Sequence, residues 1–376
     1  MVESFGVGLI GTGFMGKCHA LAFNTVRAAF GDVPAPRLEI LADVDEDTVA
    51  ARAREFGFAR HTTNWQDIIS DPAVDVVSIT TPNALHKAIA LAAIERGKHV
   101  YCEKPMALSL EDAEEMADSA QRAGVLTLVG YNYLWNPAII HAQRLISDGV
   151  IGRVVAFRGT FDEDYLADPD LPYSWRCRIA EAGTGALGDM ACHLVSAAHH
   201  LVGPIEAVMG DIGTEHQYRP GSGSDPAAGG DVETEDMAHA LVRFENGVRG
   251  MLTSSRIAWG RKNHLAWEVH GSTGMLTFDQ ERLNELKLFE NNGEPSRQGF
   301  KTVLSGPSHP PFDQFVPAPG HGLGFNDLKT IEVAHLLRGL AGVEDLHPNF
   351  GDALRIERVI HGIVRSARQG RWITVR

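Results

Sequence analysis

The apolar run FGVGLI at residues 5–10 ends in GTGFMG, where Gly11, Gly13 and Gly16 have the spacing G-x-G-x-x-G, and a helical pattern follows at once. Few folds are open to a chain that begins this way. Glycine at these positions lets the backbone approach a pyrophosphate at a helix N-terminus, where amides without intrahelical partners and the helix dipole favour an anion. Glycine-rich turns are common, so the motif gains its weight from lying between a strand and a helix. Four more apolar runs follow, in LEILADV, VDVVSIT, KHVYCE and LTLVG. Amphipathic stretches separate them, among them ALHKAIALAAIERG, closing on Gly97, and SLEDAEEMADSAQRAG, opening on Ser109 and Asp112 and closing on Gly124. Alternating strand and helix predict an α/β Rossmann domain with a parallel sheet, here expected over residues 1–131.

The texture changes after the first third. GRVVAFRGTF, MAHALVRF, VRGMLTSS, HLAWEVH, GMLTFD and ELKLFE read as strands, and Asn246-Gly247 between two of them signals a hairpin. Residues 132–376 are therefore expected to form a second, α+β domain with a large, mostly antiparallel open sheet. Helices are predicted around 186–202 and 326–340, and Pro- and Gly-rich loops at 217–231 and 291–324. Two domains suit 376 residues, at about 150 residues per domain. A formal charge of -14 argues against nucleic acid as partner, since that binding rests on clustered Lys and Arg. The four cysteines have no C-x-x-C spacing, and no apolar run reaches the ~18 residues of a membrane span. The expectation is a soluble cytoplasmic protein without a membrane partner.

Ligands of an open parallel sheet gather beyond the carboxyl ends of its strands. Gly11, Asp43, Thr80, Lys104 and Asn132 all fall at such ends. Asp43 closes the second strand and is placed to accept from a ribose 2'-hydroxyl, although it lies 27 residues after Gly16 because FGDVPAPR lengthens the loop before the strand. Asp43 or Asp45 could alternatively cap the next helix. No arginine follows to hold a 2'-phosphate, so NAD is favoured and NADP remains an alternative. Lys104, in VYCEKPMAL, stands directly before Pro105, where a solvated surface turn is the plain reading. Its position at a strand end points it instead toward the cofactor. In the second half, GALGDMACHL sets Asp189 and His193 four apart on one helix, neighbours on its surface. A carboxylate beside an imidazole can orient the ring and raise its basicity, as a general base requires. A structural hydrogen bond competes with that reading. So does a metal site completed by His199 or His200, but no spacing supports a third ligand and no metal is expected.

These motifs, in this order, resemble the glucose-fructose oxidoreductase, inositol dehydrogenase and MocA family, Gfo/Idh/MocA. The resemblance covers nearly the whole chain through GTGFMG, TTPNALH, CEKPMAL, GYNYLWNPA and GDMACH. It implies a Rossmann domain followed by an α/β domain whose open sheet serves as an oligomer interface, hence a homodimer or homotetramer. It implies cofactor contacts from Gly11, Gly13, Phe14, Met15, Gly16, Asp43, Thr80, Thr81, Pro82, Asn83, His86, Glu103, Lys104, Pro105 and Asn132. The E-K-P motif matches Glu103, Lys104 and Pro105, often with a cis peptide before the proline, and the D-x-x-x-H motif matches Asp189 and His193. The activity implied is hydride transfer between nicotinamide and a secondary alcohol of a sugar, anhydrosugar or cyclitol, with Lys104, Asp189 and His193 catalytic. Lys104, Tyr133, Trp175, Arg176, Asp189 and His193 are the expected substrate contacts, with Trp135, Asn136, Asp162, Asp164, Tyr165 and His321 as weaker ones. On the same scaffold the alternatives are a glycosidase that oxidises transiently and an NADPH-dependent carbonyl reductase. A dinucleotide-sensing regulatory protein is the non-enzymatic alternative, and retention of Lys104, Asp189 and His193 speaks against it.

Overall fold

A computed structural model of the chain describes residues 4–375. The chain divides into two compact units. Unit 1 runs to Trp135 and includes Leu323–Leu354, whereas unit 2 comprises Asn136–Gly322 and the chain from Arg355 onward. The division expected at residues 131 and 132 therefore lies four residues early and misses the returning segment.

Unit 1 contains a six-stranded sheet of β1 (Ser4–Ile10), β2 (Ala35–Ala42), β3 (Arg60–Thr62), β4 (Val76–Ile79), β5 (His99–Cys102) and β6 (Thr127–Val129). The order is β3-β2-β1-β4-β5-β6 and every pair is parallel. Val7, Leu9, Val76, Val77, Ile79, Val100 and Leu128 are fully buried, as continuous apolar strands covered on both faces require. The connecting helices are α1 (Phe14–Ala29), α2 (Glu46–Phe56), α3 (Trp65–Ser70), α4 (His86–Glu95) and α5 (Leu110–Ala123). The Ser109 hydroxyl accepts the Asp112 amide at the start of α5, and Gly124 ends it in the left-handed conformation with φ 67°. Because β1 lies between β2 and β4, the chain reverses direction across the sheet at β1, and the carboxyl ends of β1 and β4 flank the crevice where such sheets bind ligands.

Unit 2 contains α6 (Pro137–Ser147), α7 (Ile179–Ala182) and α8 (Cys192–Leu201), the last preceded by a π-helical turn at Leu187–Ala191. Its strands are β7 (Val154–Asp162), β8 (Ile205–Gly213), β9 (Tyr218–Arg219), β10 (Gly230–Asp231), β11 (Met237–Phe244), β12 (Arg249–Ser255), β13 (His264–Gly271), β14 (Gly274–Asp279), β15 (Glu285–Glu290), β16 (Lys301–Leu304) and β17 (Ile373–Thr374). Nine of them form a sheet in the order β16-β15-β14-β13-β7-β12-β11-β8-β17. The sheet is antiparallel except at the parallel β12 and β7 pair. Residues alternate across β11, with Ala238, Ala240, Val242 and Phe244 buried and His239, Leu241 and Arg243 exposed. Leu194 of α8 packs on Gly159 of β7, where a Cβ would lie 2.5 Å from Leu194 Cδ1. The two loops expected at 217–231 and 291–324 hold the β9 and β10 ribbon and strand β16 respectively.

Two helices complete the chain, α9 (Phe325–Leu340) and α10 (Phe350–Gln369). In unit 1, α9 packs along α1 and buries Leu328, Ile331, Val333, Ala334, Leu336 and Leu337. This packing is why the segment belongs with the parallel sheet despite its place late in the chain.

Two buried histidines make the fold sensitive to acid. His19 of α1 is fully buried, and its ring nitrogens lie 2.8 Å from Ser78 Oγ and Glu103 Oε1. His199 of α8 accepts the Ile205 amide at 3.2 Å. Burial is the main cause that holds each imidazole down at about 4. The unfolded chain takes up these protons as pH falls through about 6.5, so between the two values it binds more protons than the folded protein and stability falls with pH. Each shift corresponds to at most roughly 3 kcal/mol. The thermal midpoint should drop from pH 6.5 to pH 4.5, and His199→Gln should make the drop shallower. A midpoint that stays level over that range would contradict the assignment.

Candidate active site

Hydrogen bonds continue the parallel ladder past the ends of its strands, from Gly11 N to Ala42 O, Thr80 N to Ile10 O, Glu103 N to Ile79 O and Gly130 N to Cys102 O. They bring the expected cofactor loops side by side. Gly11 has φ 102°, and its Cβ position lies 2.8 Å from Thr80 O; that of Gly16 lies 2.1 Å from Gly11 O. Only bare backbone fits at both. A Cβ on Gly13 would meet nothing within 4 Å, which leaves open space in front of the turn. Helix α1 starts there with no side-chain cap and no acidic residue in its first turn, so its amides remain for an anion. Asp43 Oδ2 accepts the Thr12 amide at 2.8 Å and the Thr12 hydroxyl, and its Oδ1 accepts the Val44 amide at 2.7 Å. Asp45, not Asp43, caps α2 by accepting the Thr48 amide. Asp43 is thus tied to the glycine turn, where a ribose carboxylate belongs. Thr81 Oγ1 and Asn132 Nδ2 are buried polar atoms with no hydrogen-bond partner, as expected of groups awaiting a ligand. Bare glycines, uncapped amides, Asp43 and these two atoms fit a dinucleotide.

Lys104 is half-buried and joins Pro105 through a cis peptide. Two residues expected at the cofactor are engaged elsewhere. His86 is fully buried with its ring nitrogens 2.9 Å from Pro105 O and 3.1 Å from Thr81 O, so it braces two loops instead of presenting a nitrogen to a ligand. Glu103 points into the unit, where His19 Nε2 and Lys329 Nζ donate to its Oε1. Phe14 is 74% exposed and stacks on Phe325 with ring centroids 5.8 Å apart, while Tyr133 meets Phe325 edge-on at 6.0 Å. Trp135 packs on His335 and His347.

In unit 2 the π-helical turn carries Asp189, and His193 follows in the first turn of α8, only 5% exposed. The Tyr165 hydroxyl donates to Asp189 Oδ2 at 2.7 Å, and Arg176 Nε lies 3.6 Å from the same oxygen. Burial, followed by the Asp189 charge, raises the Tyr165 phenol well above its ordinary range, so it stays a donor. The Arg176 guanidinium also lies over the Trp175 ring at 4.5 Å. Leu187, Ala191, Leu194, Ala198 and Leu201, which recur at helical spacing, are buried. His199 is committed to the Ile205 amide, which leaves a metal reading of this helix without that ligand. Other weaker candidates are committed too. Asn136 caps α6 and donates to Leu283 O, and Asp164 pairs with Lys262 at 2.6 Å. Asp162 accepts from Thr160, and His321 is exposed.

Residues 5–131 match the model of an oxidoreductase family with a NAD-binding Rossmann fold, and residues 139–277 match the GFO/IDH/MocA C-terminal domain. Levoglucosan dehydrogenase of Pseudarthrobacter phenanthrenivorans is 38% identical over 385 residues, covering 100% of this chain and 99% of that protein. The chain belongs to the Gfo/Idh/MocA oxidoreductase family. It is also similar to 1,5-anhydro-D-fructose reductase of Ensifer adhaerens, at 34% identity over 72% of this chain and 74% of that one. A solved levoglucosan dehydrogenase in complex with NADH and levoglucosan matches with TM-score 0.96 at 38% identity, covering 99% of this chain and 100% of that one.

Within the Gfo/Idh/MocA frame, sequence reading missed the parts that hold the motifs in place. Glu235 Oε1 accepts the Gly185 and Leu187 amides at 2.7 and 2.9 Å, fixing the entry to the Asp189 turn. The buried Asp236 pairs with Arg256 at 2.9 Å, and Thr234 holds the Arg176 carbonyl at 2.8 Å. The acidic run DVETED was the available signal, since carboxylates beside an apolar strand are either solvated or buried with partners.

The glycines separate two effects that mutation can resolve. Gly13→Ala should leave the thermal midpoint unchanged, because a Cβ there meets open space, and should weaken NADH binding by about tenfold or more if that space takes the pyrophosphate. Gly16→Ala should lower the midpoint as well, since the turn must open. Fluorescence titration with NADH and a thermal melt check both; equal melts for the two variants would refute the distinction.

Proposed function

We propose that this protein is an NAD-dependent dehydrogenase that oxidises a secondary alcohol of an anhydrosugar of the levoglucosan class, within a wider class of sugars and cyclitols. The observation that carries the reading is the nearly buried His193 following Asp189 on one helical run, with Asp189 itself oriented by Tyr165. The full-length similarity to levoglucosan dehydrogenase supports the substrate class, and Asp43 at the glycine turn supports NAD over NADP. Bound NAD supplies the hydride acceptor. His193 takes the hydroxyl proton as general base, and the Asp189 carboxylate stabilises the imidazolium that results. The Lys104 ammonium stabilises charge developing on the alkoxide oxygen. Tyr133, Trp175 and Arg176 hold the ring, offering flat apolar surface beside polar partners.

A second reading is reduction of a carbonyl with NADPH, and the similarity to 1,5-anhydro-D-fructose reductase supports its direction. Asp43 weighs against it, because a carboxylate repels a 2'-phosphate. The open face of the nine-stranded sheet, with the paired Leu241 and Met251 exposed, supports burial against further copies in a homodimer or homotetramer. Four buried cysteines with no disulfide among the described residues support a reducing, cytoplasmic setting.

Reduction of NAD and NADP should be followed at 340 nm against levoglucosan, other sugars and inositols. NADH should accumulate with an anhydrosugar, and a glycosidase would release product without net reduction. Lys104→Ala and His193→Ala should each lower kcat by roughly 100-fold or more with a smaller change in NAD affinity. Full turnover in either variant removes that residue from the chemistry. Asp43→Ala should narrow the preference for NAD over NADP; an unchanged ratio would locate selectivity elsewhere.

A further inference from the structure

Lys329 of α9 is fully buried, and all three of its N–H bonds are spent. Its Nζ lies 2.7 Å from Glu103 Oε1, 2.7 Å from Glu332 Oε2 and 3.2 Å from the Tyr101 hydroxyl. The Tyr101 hydroxyl in turn donates to Glu332 Oε2. The same Glu103 oxygen receives His19 Nε2 at 2.8 Å, and the opposite ring nitrogen of His19 meets Ser78 Oγ at 2.8 Å. Since an ionised Glu103 can only accept, His19 carries its proton on Nε2 and Ser78 donates to Nδ1. Glu103 Oε2 accepts the backbone amide of Lys104 at 3.3 Å. Its carboxylate is also packed against Gly130, where a Cβ would lie 2.6 Å from Oε1. Through Glu103 the network therefore reaches the peptide that carries the Lys104 side chain.

Stability gives little reason for such a cluster. Desolvating buried ions costs as much as their attraction returns, and apolar residues of similar volume commonly do as well. We propose that Lys329 is a positioning residue for Lys104: its ammonium holds the Glu103 carboxylate, and through it the end of β5, in the one orientation from which Lys104 acts. The inference rests on the reading of Lys104 as the catalytic ammonium. The electrostatics agree with the geometry. Burial alone would raise the Glu103 carboxyl, but the Lys329 charge and the His19 hydrogen bond outweigh it and leave the carboxyl far below its usual range. Burial would likewise lower Lys329, but Glu103 and Glu332 hold it above its usual range. The groups facing His19 and Glu103 are Lys329 and Glu332 from α9, Tyr101 from β5, Ser78 from β4 and Cys18 from α1, with Lys17 and Lys104 further contributors to the local charge.

The test uses the full chain with Lys329→Met, Lys104→Ala and the triple variant of Glu103→Gln and Glu332→Gln with Lys329→Met. With Lys329 gone, His19 and Lys104 are the groups left to hold the Glu103 anion. Lys329→Met should then lower kcat by roughly 10- to 100-fold, as misplacement of a reacting group by a fraction of an ångström does, while KM for NAD changes by less than about threefold. In an NMR titration the His19 ring should protonate nearer neutrality than its value of about 4 in the parent protein. If Lys329→Met does not fold, the triple variant, which also neutralises the two carboxylates that Lys329 pairs with, serves in its place and should show the same loss of kcat. Parent-like kcat in a folded variant, with Lys104→Ala inactive, overturns the inference. Full turnover in Lys104→Ala overturns the underlying reading of Lys104 instead.

Discussion

A Cβ on Gly16 would stand 2.1 Å from the carbonyl oxygen of Gly11, and the nucleotide-binding unit is arranged around that close approach. Helix α1 can begin directly over the end of β1 only because both residues are bare backbone. Once it does, Thr80 at the end of β4 completes the turn by donating its hydroxyl to the carbonyls of Ile10 and Gly11, both at 3.0 Å. The turn then presents Thr12 to Asp43, so a carboxylate from the neighbouring strand is fixed by the loop that would hold the pyrophosphate. The glycine turn and Asp43 are thus joined by direct hydrogen bonds. Neither depends on the length of the loop before β2, which explains how the extra residues ahead of Asp43 are accommodated.

Much of this was legible in the sequence, because apolar periodicity reports which residues leave water. Five of the six parallel strands announced themselves as Val-, Ile- and Leu-rich runs; β3, three residues long and largely exposed, carried no such signal. The helix α10 was also passed over, although Ala353, Ile356, Val359, Ile360 and Ile363 show helical spacing and are buried. The motifs gave Lys104, Asp189 and His193 as candidates but not what holds them. Sequence pattern treats a lysine as solvated, so nothing marks Lys329 on its helix, and its partner Glu103 lies 226 positions away. The return of Leu323–Leu354 to unit 1 is hidden for the same reason: a helix's apolar face shows that it packs, not against which sheet.

The two units solve the problem of binding with different materials. At the glycine turn unit 1 offers mainly backbone, through bare glycines and uncapped amides, with Asp43, Thr81 and Asn132 beside them, which suits a ligand whose pyrophosphate is always the same. Unit 2 offers side chains, with Asp189, Tyr165, Arg176 and Trp175 gathered on one turn and the loop before it. Side chains need support that backbone does not, and the buried Glu235, Asp236, Thr234 and Arg256 supply it. Their polar atoms are costly to bury unless satisfied, and here amides and carbonyls satisfy them. The π-helical turn belongs to the same scheme. Such turns concentrate at functional sites, and this one sets Asp189 on a wider coil than the α-helix that carries His193.

The hydrogen bond from Tyr165 also divides labour within the proposed dyad. A donor aimed at a carboxylate favours its anionic form, and the raised phenol of Tyr165 keeps that donor in place across the neutral range. Asp189 is then suited to stabilise a positive imidazole and poorly suited to take the proton itself, so proton transfer falls to His193. An imidazole that accepts a proton during oxidation must return one during reduction, and an ammonium that stabilises an alkoxide does so in either direction. The acid-base groups are therefore neutral as to direction. On the proposed reading, what this chain contributes to the choice between oxidation and reduction lies at the other end of the cofactor, in the carboxylate of Asp43 that would select which nucleotide pool the reaction draws on.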